Sequence, residues 1–141
     1  MNFPFLERWR RRPDEAPPGV WSDPEGVAEL LSECELLRAR AESGGVELAD
    51  DPASLEELDQ LLPRWRDDPE ELERLGNDAG LYLGTVIVRT VPGARWAQGS
   101  GGQPVVVMAS GREVDVVAAG QGWADAGSPQ LSQVYAEVSE S

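Results

Sequence analysis

The stretch Asp68–Trp96, DPEELERLGNDAGLYLGTVIVRTVPGARW, decides how the chain is read, because it joins a punctuated helix to a strand marked by tryptophan. Asp68 stands as N-cap with Pro69 at the first helical position, and Glu70, Glu71 and Glu73 place carboxylates at the positive end of the helix dipole. Leu72, Leu75, Ala79, Leu83 and Val86 then fall within about 100° of one another on a helical wheel, and Pro92 with Gly93 supplies the stop. Gly76, Gly80 and Gly84 recur beside that stripe, each costing roughly 1 kcal/mol of helix propensity relative to alanine. A groove without side chains predicts a neighbouring backbone packed closely against it. The rival reading is a strand over 82–91, where Thr85, Val86, Ile87, Val88, Thr90 and Val91 are β-branched. Caps and period favour the helix.

Upstream, Asp23 with Pro24 repeats the Asp-Pro start, and Val27, Leu30, Leu31, Cys34 and Leu37 make one helical face that runs to Gly44 and Gly45. The lone Cys34 on that face reads as a core residue. Glu29, Glu33, Arg38, Arg40 and Glu42 read as its solvated side. Ser54 and Glu57 form an S-x-x-E capping box that opens a helix through Leu55, Leu58, Leu61 and Leu62, closed by Pro63. Trp65, between Arg64 and Arg66, reads as a packed tryptophan. Residues 1–23 combine an amphipathic segment, with Phe5, Leu6, Trp9 and a basic end, and a Pro-rich linker; residues 24–141 read as a single domain.

Downstream the period shortens to 2, which marks a sheet. Arg95–Gln98, Pro104–Met108 and Arg112–Val117 read as three antiparallel strands, the last two joined by a tight turn at Ser110–Gly111. Residues 117–126 stay ambiguous, since Gly120 and Gly122 weaken a helix around Trp123. Ser128 and Pro129 look like the start of a last helix carrying Leu131, Val134, Tyr135 and Val138. The expected fold is α+β, with about four helices and a small three-stranded antiparallel sheet in the C-terminal half.

Charge and composition narrow the function. The 141 residues carry a net charge of −14, with nineteen acids against five arginines between residues 13 and 75. That field opposes direct nucleic-acid binding and stable membrane association, and it suits a basic protein partner. All twelve basic residues are arginine, so no histidine couple, imidazole metal ligand, Walker lysine or Schiff base is available. No cofactor and no metal site is expected. The absence of a signal peptide or a long apolar span gives a cytoplasmic expectation. Oligomeric state is left open by these patterns.

The run LGNDAGLYLGTVIVRTVPGARW, preceded by LEELDQLLPRW and followed by GQPVVVMASGREVDVV, resembles a group of actinobacterial proteins known only as a domain of unknown function. The likeness spans roughly residues 24–138. It implies an α+β fold and carries over no catalytic residue.

The sharpest polar constellation lies on the long helix, where Asp78, Tyr82, Thr85 and Arg89 share one face, with Trp96 on the strand that follows. Leu81 and Val88 lie opposite the apolar stripe, so this helix should be buried nearly all round. Polar groups on a buried helix must pair internally or line a ligand cleft. Internal pairing would join Asp78 to Tyr82, and Arg89 to Glu113 or Asp115. The cleft alternative makes Asp78, Tyr82, Thr85, Arg89 and Trp96 ligand-binding candidates. No catalytic residue is assigned, because carboxylate hydrolysis needs a pair held roughly 5–9.5 Å apart and no spacing here specifies one. The sequence therefore points to a non-catalytic protein-interaction or small-ligand-binding module. A small carboxylate-dependent hydrolase and a nucleic-acid mimic are the alternatives.

Overall fold

A computed structural model describes residues 34–140. Five α-helices lie within them: α1 (Glu35–Ser43), α2 (Pro52–Leu61), α3 (Pro69–Thr90), α4 (Val116–Ala126) and α5 (Leu131–Ser139). A 3-10 turn, Leu62–Trp65, follows α2, and the strands β1 (Arg95–Gln98), β2 (Pro104–Val107) and β3 (Glu113–Val114) separate α3 from α4. The α+β fold expected from the sequence is present, with one helix more than expected.

Helix α3 is the axis of the molecule. The Asp68 carboxylate accepts the Glu71 N–H at 3.2 Å, Pro69 occupies the first turn, and Val91 leaves the helix in an extended conformation. From Leu75 to Ile87 every residue except Asn77 is buried. This burial resolves the helix-versus-strand rivalry, since Leu75, Leu81, Leu83, Val86 and Ile87 each contribute roughly 1.5–3 kcal/mol by leaving water. The glycines find the close neighbour that their spacing implies. A Cβ on Gly80 would stand 2.7 Å from the Val117 Cα, and one on Gly76 would stand 3.1 Å from the Gly120 carbonyl. Gly120 is pressed in return against the backbone of Gly76 and Gly80. Gly84 is the seat of the Trp96 indole, whose edge would lie 2.8 Å or less from an added Cβ.

The sheet has the order β1-β2-β3, antiparallel throughout, with Trp96 opposite Val106 and Val106 opposite Val114. The central strand buries Val105 and Val106 completely and packs on α3 and α4. Gly111, at φ 93°, makes the turn into β3, where its N–H reaches the Met108 carbonyl at 2.8 Å. Strand β3 is shorter than the alternation of residues 112–117 predicts. Asp115 turns the chain into α4 by accepting the Ala118 N–H at 3.1 Å, so Val116 and Val117 are helical.

Other starts also differ from their local signals. Helix α2 opens at Pro52 and not at a Ser54 capping box: Asp51 accepts the Ser54 N–H at 3.0 Å, an Asp-Pro start like that of α3. Helix α5 begins at Leu131 after Gln130, not at Pro129. The N-terminal segment, residues 1–23, lies outside the described residues, as do residues 24–33 of the expected first helix. Cys34 sits in the left-handed region at φ 42°, and α1 begins at Glu35. Cys34 and Leu37 are nonetheless in the core, and Trp65 packs edge-to-face on Trp123 with centroids 6.5 Å apart.

Candidate functional site

The polar face of α3 meets the start of α1 and the loop between α1 and α2. Asp78 is 2% exposed, and its Oδ2 accepts the Leu37 N–H at 3.2 Å, with the Leu36 N–H contributing. These are free donors of the first turn of α1, whose N-cap residue, Cys34, offers no side-chain cap. Asp78 is therefore the cap of a helix to which it does not belong. The Cys34 thiol donates to the Asp78 backbone carbonyl at 3.4 Å. Burial raises the Asp78 carboxyl to about pKa 6, against the opposing pull of the Leu37 and Leu36 amides; Glu35 adds to the rise and Arg38 lowers it.

One helical turn on, the fully buried Tyr82 hydroxyl accepts the Asp50 N–H at 2.8 Å and stands 2.7 Å from Ser54 Oγ. Ser54 gives its own proton to the Asp51 carbonyl, so Tyr82 is the donor to Ser54. Burial raises the Tyr82 pKa, with the Ser54 and Asp50 bonds acting in the opposite direction. Asp50, in the left-handed region at φ 58°, binds Arg38 at 2.9 Å and Arg89 at 3.7 Å. The Arg38 guanidinium lies 5.3 Å from the Tyr82 ring centroid.

The structure thus brings Asp78, Tyr82 and Arg89 into one seam with Arg38, Asp50 and Ser54. Two expected pairings are replaced. Asp78 turns to the amides of α1 and not to Tyr82, and Arg89 turns to Asp50 and not to Glu113 or Asp115. Thr85 is turned inward, its hydroxyl donating to the Leu81 carbonyl at 2.9 Å, and it joins no wider cluster. Trp96 lies over Gly84 on another face of α3, and its indole Nε1 has no hydrogen-bond partner among the described residues. Arg38, read as solvated from the sequence, is half-buried and tied to Asp50.

Sequence reasoning missed a second long-range cap. Asp59 of α2 accepts Trp123 Nε1 and the Leu131 N–H at 2.9 Å each, the Ser132 N–H at 3.2 Å and the Ser132 hydroxyl at 2.6 Å. It anchors the start of α5, whose N-cap residue likewise makes no side-chain cap. Among the described residues no group of His, Cys, Asp and Glu is arranged to hold a metal ion. No described helix is long and apolar enough to cross a membrane.

Fold and seam together define a small α+β domain whose internal polar groups join helices to one another. The chain belongs to a family of unknown function, DUF6278, whose profile matches residues 1–141. The family likeness seen in the sequence is thereby established and extends over the whole chain. No curated protein and no solved structure matches it.

Proposed function

We propose that this domain is a non-catalytic protein-interaction module whose acidic helical face receives a basic partner. One contrast supports the reading. Asp78, Tyr82 and Arg89 of α3 are engaged in capping and pairing with neighbouring segments, while nine of the thirteen acids of residues 35–73 face solvent. Glu35, Glu42, Glu47, Glu56, Glu57, Asp67, Asp68, Glu70 and Glu73 are all exposed. Of the four arginines in that segment, Arg38 is bound to Asp50 and Arg40 to Glu71, and the two exposed ones, Arg64 and Arg66, are outnumbered by the nine exposed carboxylates. A field of one sign steers an oppositely charged partner and selects against like-charged ones.

The test is co-purification on the immobilised full-length protein from the native host at low ionic strength, followed by elution with rising salt. A specific basic protein should be retained and should leave as salt screens the surface charges, over a Debye length that falls from about 10 Å at 0.1 M to about 3 Å at 1 M. Recovery of nothing above background at low salt would sink the proposal.

A further inference from the structure

The interaction reading leaves open which part of the acidic surface is shaped to hold a partner. Gly76 faces Gly120 and Ala124, and Gly80 faces Val116 and Val117, so α3 and α4 run antiparallel in backbone contact. Beyond Gly76, towards the N-terminus of α3, the two helices border a groove of about 580 Å³. That volume is within the roughly 300–1,000 Å³ of ligand-binding clefts.

Apolar surface from Pro69, Leu72 and Ala124 lines the groove, and the exposed carboxylates of Glu73 and Asp125 stand on its two helices. The groove lies between the C-terminal end of α4 and the N-terminal end of α3, whose opposed helix dipoles offset one another, so the Glu73 and Asp125 carboxylates supply its negative charge. Its one basic lining residue, Arg66, has its guanidinium against Gly127 at that same helix end. An apolar strip edged by carboxylates complements a side chain with a methylene stem and a cationic head.

We propose that the α3–α4 groove is the docking surface for a cationic amphipathic segment of the protein partner, with lysine or arginine stems along Leu72 and Ala124 and their heads at Glu73 and Asp125. This inference rests on the interaction reading and localises it.

The probes are two synthetic amphipathic helices with the same leucine spacing, one carrying arginine and the other glutamate at every polar position. They are titrated into isotope-labelled full-length protein, and amide chemical shifts are followed. The arginine peptide should move the resonances of Leu72, Glu73 and Ala124, and the glutamate peptide should move none. Glu73→Gln combined with Asp125→Asn should weaken arginine-peptide binding roughly tenfold, as expected for losing two partly exposed charge contacts. Glu56→Gln combined with Glu57→Gln, on α2, should leave the affinity within about twofold. Shifts centred elsewhere, equal losses from both double variants, or no binding of the arginine peptide would overturn the groove assignment. Failure of the broader reading would register separately, as an empty eluate in the native-host experiment.

Discussion

Asp78→Asn separates the charge of the capping carboxylate from its shape. The wild-type carboxyl titrates at about 6 in the folded protein against 3.8 for an aspartate in the unfolded chain, so between those values the folded chain holds a proton that the unfolded chain has released. Folding stability attributable to this group is complete below 3.8 and declines as the pH rises through 6. At about 1.36 kcal/mol per unit, the interval amounts to about 3 kcal/mol lost from the acid to the neutral side. Asparagine keeps a carbonyl oxygen for the Leu37 N–H and carries no charge at either pH, so its own cost is constant. The stability of Asp78→Asn minus that of wild type should therefore rise by roughly 2–3 kcal/mol between about pH 4 and pH 7.5. Urea unfolding followed by far-ultraviolet circular dichroism at closely spaced pH values measures that difference, and subtracting the two proteins removes the pH dependence they share. A difference independent of pH, or one that falls as pH rises, would refute the assignment to Asp78 of a buried charge whose desolvation outweighs its amide partners.

The glycine seam should give substitutions of opposite sign. Gly80→Ala drives a Cβ into the Val116–Val117 backbone and should destabilise by about 3 kcal/mol or more, whereas Gly122→Ala, in the same helix pair but with its nearest neighbour 3.4 Å away, should stabilise by roughly 0.5–1 kcal/mol through helix propensity. Thermal unfolding of the two variants decides it, and equal effects would count against close backbone contact between α3 and α4. Asp59→Ala leaves Trp123 Nε1 and the first amides of α5 without their acceptor and should cost about 2–4 kcal/mol. Tryptophan fluorescence should report the loss around Trp123 before global unfolding, and an unchanged transition would show that Asp59 is dispensable.

The parts legible in the sequence are those whose signals are local. The Asp68–Pro69 start, the apolar period of α3 and the Pro92–Gly93 stop each sit beside the structure they cause, and β1 lies where the shift of period places it. Helix α4 was hidden because Val116 and Val117 favour a strand and Gly120 weakens a helix. What makes it helical is the fit of Gly120 against Gly76 and Gly80, a contact no window of sequence contains. The candidate strip was legible as a set of positions on one face, but its partners were not. Leu37 lies 41 residues from Asp78, and Tyr82 lies 32 from Asp50. Ser128–Pro129 offered a plausible local start for α5, yet its first amides turn to a carboxylate 72 residues away.

The borrowed caps on α1 and α5 set an order of assembly. Each helix is nine residues long, shorter than the roughly 12–15 residues that an isolated helix needs to hold in water, and neither brings its own side-chain cap. Their first turns are completed only when Asp78 of α3 and Asp59 of α2 arrive. Helix α3, 22 residues long and with Asp68 as its own cap, can form early in folding, and α2, at ten residues, has at least its own Asp51 cap, whereas α1 and α5 become persistent only as they dock. Secondary and tertiary structure at the two flanks of the described domain therefore appear in a single event.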